Sequence, residues 1–292
     1  AHGEALLPSS IMILGASLNI AIDPFLIFGI GPFPRMEVAG AALATVIGNT
    51  VAAIYGLYLV RFVRREVNFA GITLATLRHA WATIASVGVP AMGTNIIVPV
   101  GTFFATVAVT RLTSEVGLAA FSLASRLELL SVGLLYALSA CIGSVTGQNG
   151  GAGRTDRVEE AFRVSYRICI IWSTLMAGVL ALVAKPMLGL FSNDPALIDM
   201  AVPYFYIVPI TIFAYGFVFV TAAGFNALGR PKYGFIFTFI RSLVLYAQLV
   251  AVGAWQGGLF GAFMGIAVAN MLSGLIARYW ALNRAPMTAR KS

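Results

Sequence analysis

The chain has 292 residues, of which 59% are hydrophobic and 10% charged, against roughly 25% charged in an ordinary soluble domain. With a mean hydropathy of +0.89, no fold of this size can hide its apolar surface from water, which excludes a water-soluble globular protein. The apolar residues run the whole length, so a soluble enzyme on one anchor and a cleaved signal peptide are excluded too. The net charge of +8, from 19 Lys and Arg against 11 Asp and Glu, sits between apolar runs and not on one stripe. That is the pattern of loops beside a membrane and not of a nucleic-acid surface.

A spanning helix needs about 20 mostly apolar residues. Eight runs meet this: 7–30, 38–60, 80–109, 116–144, 162–184, 199–226, 233–254 and 257–281. A lipid-facing barrel would alternate over segments of about ten residues, whereas these runs are continuous. The expected fold class is therefore all-α, a polytopic membrane helical bundle. Lys and Arg counts in alternate loops set its orientation. Arg61, Arg64, Arg65, Arg78, Arg154, Arg157, Arg163, Arg167, Arg230, Lys232, Arg241, Arg278, Arg284, Arg290 and Lys291 fall on one side, and only Arg35, Arg111 and Lys185 on the other. Both chain ends are then expected in the cytoplasm, and Arg126 is the one basic residue expected inside the membrane.

The connection from Arg61 to His79 is the longest polar stretch and divides two helices from six. The expected parts are residues 1–62 as the last two helices of a first lobe, 63–79 as a cytoplasmic linker, 80–284 as a six-helix second lobe and 285–292 as a tail. A weak repeat supports two lobes. Residues 38–49 can be laid over 259–270, matching Gly40 with Gly261, Ala41 with Ala262 and Asn49 with Asn270. On that reading the first lobe also has six helices, of which the first four are expected to precede Ala1.

Asp23 is the strongest single signal for chemistry. A carboxyl inside an apolar run costs several kcal/mol unless it is protonated or paired. Asn19 lies four residues earlier, on the same helix face, so the two can hold a cation or a proton. Pro24 has no N–H and frees a carbonyl near Asn19 or Ile20. Thr45, in the next run, reads either as a third ligand or as packing glue beside Gly40, Ala44 and Gly48, whose four-residue spacing marks a close helix contact. Arg126 and Glu128 form a second charged site by sequence; two residues apart, they diverge around a helix and each needs a partner elsewhere. Asn95, Tyr136, Tyr204 and Tyr206 are candidates for lining a cavity.

Gly147-Gln-Asn-Gly-Gly-Ala-Gly153 fails as a phosphate loop, because no Lys-Ser or Lys-Thr follows and no strand precedes it. It reads as a tight turn, with Asp156 and Glu159 expected to cap the following helix. Gly261, Gly265 and Ala269 read as a packing face. Cys141 and Cys169 read as small hydrophobes, and His2 and His79 are solitary. No nucleophile–base pair, zinc motif or paired carboxylate is present, so no enzyme and no bound cofactor are expected.

Leu18-Asn-Ile-Ala-Ile-Asp-Pro-Phe-Leu-Ile-Phe-Gly29, followed by Val38-Ala-Gly-Ala-Ala-Leu-Ala-Thr45, resembles the fifth and sixth helices of multidrug and toxic compound extrusion (MATE) transporters. Val87-Gly-Val-Pro-Ala91 resembles the start of the seventh helix and Ala124-Ser-Arg-Leu-Glu128 the eighth. Gly147-Gln-Asn-Gly-Gly-Ala-Gly-Arg154 is similar to the loop after it, and Ala227-Leu-Gly-Arg-Pro-Lys232 to the loop before the eleventh. The resemblance implies a twelve-helix, two-lobe antiporter of the bacterial-type plasma (inner) membrane, of which helices five to twelve are here. Such proteins export amphipathic, often cationic drugs in exchange for H+ or Na+ by alternating access. The resemblance places the coupling ion at Asn19, Asp23 and Thr45, as in the DNA-damage-inducible type, with an aspartate of helix one completing the site. A branch with a glutamate in helix seven and an aspartate in helix ten does not fit, because residues 90–107 and 200–226 contain no acid. The alternatives are a lipid-linked oligosaccharide flippase of related fold, for which only Arg126 would serve pyrophosphate, and a non-transport membrane protein. The expected partners are small amphipathic or cationic substrates and membrane lipid, without nucleic acid and without a metal other than Na+ at Asp23 and Asn19.

Overall fold

The computed structural model describes residues 6–64 and 73–289. Arg290, Lys291, His2 and residues 65–72 of the expected linker, Arg65 among them, lie outside the described residues. The chain divides into two compact units, Ala1–His79 and Ala80–Ser292. Among the described residues no strand occurs, and seven helical stretches are long and apolar enough to cross a membrane. The protein is an integral membrane protein with a helical membrane bundle.

The first unit is built on a helical hairpin, α1 (Leu6–Phe28) and α2 (Glu37–Tyr58), closed by one π-helical turn at Leu59–Val63. Its buried residues in α2 are Gly40, Ala44 and Gly48, the four-residue row of small side chains. A Cβ at Gly48 would lie 2.9 Å from the Gly15 carbonyl oxygen, and one at Gly40 would strike the Leu26 backbone. Backbone meets backbone, because between helices in lipid the attraction is short-range packing and not expulsion of water. Pro24 stays inside α1. Its missing N–H leaves the Ile20 carbonyl without its helical donor.

The second unit contains most of α3 (Leu74–Leu112), which starts inside the span expected as linker because residues 74–79 continue the helix. There follow α4 (Glu115–Leu127), α5 (Leu129–Gly151), α6 (Thr155–Gly189), α7 (Pro195–Ile207), α8 (Ile212–Ala227), α9 (Pro231–Phe239) and α10 (Ala247–Ala289). The central post is α8, apolar on every face, packed by α5, α6, α9 and α10. Its glycines admit neighbours: a Cβ at Gly216 would lie 2.8 Å from the Cys169 sulfur, and one at Gly224 would enter the Phe162 ring.

Three of the expected runs are broken or bent internally. The run 116–144 tightens at Glu128, between α4 and α5, where the Ser131 N–H turns back to the Glu128 carbonyl at 2.8 Å. The run 199–226 is interrupted by a 3₁₀ turn, Pro209–Thr211. The Ser173 hydroxyl of α6 fills that gap, donating to the Pro209 carbonyl at 2.6 Å and accepting from the Phe213 N–H at 3.1 Å. The run 233–254 contains a seven-residue π-helical segment, Ile240–Tyr246. Helical bonding then continues across the expected gap before 257, but Gly257 and Gly258 leave helical geometry, Gly258 at φ 56°. The chain folds back there, and Gly253 packs on Gly261 and Leu249 on Gly265.

The turn after α5 differs from expectation. The helix runs through to Gly151, and the turn is confined to Ala152, Gly153 and Arg154, with Gly153 at φ 70°. Asp156 and Glu159 do not cap α6: its N-cap is Arg154, without a side-chain cap bond. Asp156 instead lies in the first turn, where its charge meets the positive helix end, and Glu159 pairs with Arg163.

Candidate functional site

In the first unit the register of the hairpin carries Asn19 of α1 to Thr45 of α2. The Asn19 amide Nδ2 donates to the Thr45 hydroxyl at 3.3 Å, and that hydroxyl donates to the Ala41 carbonyl at 2.9 Å. Thr45 is thus both a contact across the hairpin and a bond within its own helix. Asp23 is one turn beyond Asn19, partly buried, and its Oδ1 is shielded from solvent without a hydrogen-bond donor. Shielded carboxylate oxygens are ordinarily satisfied. An empty acceptor beside an amide–hydroxyl pair and the Ile20 carbonyl is chemically a seat for a proton or a small hard cation. Among the described residues, no three of His, Cys, Asp and Glu come together as a metal cluster.

The second unit separates the charged residues that the sequence groups together. Arg126 is exposed in the last turn of α4, where its charge faces the negative helix end. Glu128 turns inward, opposite the guanidinium of Arg241 and the hydroxyl of Tyr204. Arg126 and Glu128 are therefore not one site, as their angular separation on a helix requires. The expectation that Arg126 alone lies in the membrane interior is also corrected. Arg241 is only 5% exposed, inside the π-helical segment, whereas sequence grouping with Arg230 and Lys232 put it in a loop.

Three contacts hold Arg241. Its guanidinium carbon lies 3.2 Å from the centre of the Tyr215 ring and 5.3 Å from that of Tyr246, both favourable for a cation over a π face. Nη2 donates to the Asn270 Oδ1 at 3.2 Å. Asn270 in turn donates to the Thr211 hydroxyl at 3.3 Å, in the 3₁₀ turn between α7 and α8. Thr211, Asn270, Arg241, Tyr215 and Tyr246 were not legible as a site. The usable signal was depth: Arg241 lies eight residues into the run 233–254, about 12 Å at the helical rise of about 1.5 Å per residue.

The structure places the residues named for a cavity in different surroundings. Tyr204 is fully buried, ring to ring with Phe205 and Phe263 at 5.4 and 5.2 Å, because α7 packs into the core of the unit. Tyr136 is 49% exposed and stacks on Phe219, whose ring lies 4.3 Å from that of Tyr215. Asn95 and Tyr206 are exposed, on α3 and α7.

Comparison with known proteins gives this geometry a context. The MatE family model matches residues 90–252. A FAD transporter of Shewanella oneidensis is 32% identical over 96% of this chain and 62% of its own length. A probable multidrug resistance protein NorM of Thermotoga maritima is 25% identical over 87% of this chain and 57% of its own. The crystal structure of the Vibrio cholerae MATE transporter VcmN in the bent form superposes with a TM-score of 0.84 at 24% identity, covering 98% of this chain and 64% of that one. The chain thus spans about three fifths of the relatives it matches. A family model that covers more than half of the chain settles the assignment: the chain belongs to the MatE family of membrane transporters.

Proposed function

We propose that the protein is a secondary antiporter that exports amphipathic or cationic compounds in exchange for H+ or Na+ by alternating access, with the ion seated at Asp23, Asn19 and Thr45. The observation that carries this reading is the solvent-shielded, donorless Oδ1 of Asp23 one turn from the Asn19–Thr45 bond. A proton or Na+ at Asp23 removes a charge that lipid disfavours, so occupancy and the arrangement of the hairpin are linked. The drug-export reading draws support from the multidrug resistance protein of T. maritima. No catalytic activity is proposed, and the cytoplasmic placement of both ends follows from the positive-inside count.

A second reading is favoured by two observations. The S. oneidensis relative is a FAD transporter, and the second unit holds a buried cation among aromatic rings, Arg241 on Tyr215. Guanidinium and ring together suit a planar, phosphate-bearing cargo such as a flavin dinucleotide. Arg241 also removes the argument that only Arg126 could meet pyrophosphate.

One experiment addresses both readings. Efflux of a cationic dye and of FAD is followed in everted vesicles carrying the full-length protein or Asp23→Asn, under separate proton and sodium gradients. Gradient-driven efflux that Asp23→Asn abolishes is the expected result, and the active gradient names the ion. Efflux unchanged by the substitution refutes the coupling site; FAD moved and dye ignored selects the second reading.

A further inference from the structure

We propose that the groove between α5 and the first turns of α6 seats one phospholipid whose headgroup carries a primary ammonium, with its phosphate on Arg157, its ammonium on Glu160 and Asn149, and an acyl chain along the apolar floor beyond them. This site is separate from Asp23 and does not depend on the coupling proposed there.

The groove has a volume of about 370 Å³, within the range of about 300–1,000 Å³ in which small-molecule sites fall. Leu138, Cys141, Ile142, Val145 and Asn149 supply one wall, at the three- and four-residue spacing of a single face of α5, and α6 brings Arg157 and Glu160 to the other. Polarity is graded along it. Asn149 lies in the last turn of α5, Arg157 in the first turn of α6 and Glu160 in the second, so these polar groups stand together where the two helices meet at the turn. From Asn149 back to Leu138 is eleven residues, about 16 Å at the helical rise of about 1.5 Å per residue, and every other residue that α5 gives to the wall is apolar. Helix ends lie at the membrane interface and helix interiors in the hydrocarbon. A polar mouth over a long apolar floor therefore follows the profile of a membrane lipid.

The charges at the mouth decide which lipid. Glu159 and Arg163 of the same helix are already paired with each other, whereas the side chains of Arg157 and Glu160 have, among the described residues, no ion pair and no hydrogen bond. Asn149 donates its Nδ2 to the Val145 carbonyl at 2.8 Å and keeps its amide oxygen as an unused acceptor among those residues. The mouth thus offers one guanidinium and two acceptors. A guanidinium matches a phosphate. A carboxylate and an amide oxygen match a cation that brings its own N–H groups, and a primary ammonium has three. A choline head has the charge without an N–H and leaves Asn149 unsatisfied, and a glycerol head puts a second negative charge beside Glu160 with no cation to offset it. Charge and donor complementarity together select the ethanolamine head over both.

Native mass spectrometry tests this on the full-length protein, released from nanodiscs of equal parts phosphatidylethanolamine, phosphatidylcholine and phosphatidylglycerol with matched chains. The expected wild-type result is retention of phosphatidylethanolamine over each of the others by about two- to fivefold, the worth of one partly exposed ion pair. Glu160→Gln should lower retention of phosphatidylethanolamine and raise that of phosphatidylglycerol. Arg157→Gln should lower all three, since each carries a phosphate, and Val145→Trp should do the same by filling the floor. Arg163→Gln, whose partner is Glu159, should change none. Arg157, Glu160 and Val145 are exposed on the unit, so their replacement leaves its core intact. Equal retention of the three lipids or a preference for phosphatidylglycerol overturns the site, as does an ethanolamine preference that survives Glu160→Gln and Val145→Trp.

Discussion

The Ser173 hydroxyl gives the sharpest test of how the second unit is held together. It is fully buried and replaces, with two bonds, the single helical bond between the Phe213 N–H and the Pro209 carbonyl that the break at Pro209 pulls apart. In Ser173→Ala the Phe213 N–H loses its partner, while the Pro209 carbonyl loses the hydroxyl and keeps the Ile212 N–H of the 3₁₀ turn. A buried group left unmade costs about 1–3 kcal/mol, while side-chain bonds between membrane helices average about 0.6 and reach about 1.7 kcal/mol. Two bonds lost at about 1 kcal/mol each, inside that membrane range, give about 2 kcal/mol. For a unit of this size about 1 kcal/mol moves Tm by about 2–4 °C, so a fall of about 4–8 °C is expected. Thermal unfolding in detergent, paired with reversible denaturant titration, measures it. Ser139→Ala is the control, because the Ser139 hydroxyl bonds only the Tyr136 carbonyl of its own turn. If Ser173→Ala falls no further than Ser139→Ala, the inserted hydroxyl does not support the break, and the reasoning fails.

Two further substitutions probe the close helix contacts. Gly48→Val places a branched side chain against the Gly15 carbonyl and Asn19. It should cost about 1–3 kcal/mol through overpacking and abolish gradient-driven efflux, whereas Gly56→Ala, which meets only the flexible end of Ile11, should leave efflux within about twofold of wild type. At the turn of α10, Gly258 has φ 56° and Gly257 φ −137°. Gly258→Ala should therefore lose about 1–3 kcal/mol of stability and Gly257→Ala much less; equal losses would mean that the turn is not set by backbone strain.

The helical architecture was legible because lipid leaves few solutions: a backbone without water must satisfy itself along its own helix, and its side chains must be apolar for some 20 residues. The contact between Asn19 and Thr45 was legible for a related reason. Small residues at Gly40, Ala44 and Gly48 fix which faces of the hairpin meet, and an amide four residues from an acid shares that acid's face. Breaks inside the helices were not. Pro209 interrupts its run, yet Pro24 lies within an uninterrupted helix; what differs is whether a hydroxyl such as that of Ser173 stands ready in a neighbour. The π-helical segment Ile240–Tyr246 has no local signature, because one additional residue per turn is a response to packing partners and not to propensity.

That extra residue also explains why Arg241 was misplaced. Sequence neighbours Arg230 and Lys232 draw it toward the loop, but a widened turn lets its long side chain reach the Tyr215 ring and Asn270 without leaving the protein. From there the polar contacts run on without interruption: Arg241 to Asn270, Asn270 to Thr211, and the turn holding Thr211 to Ser173 of α6. Such a thread is favoured in lipid only if each link is made, because every orphaned group there costs more than its bond is worth.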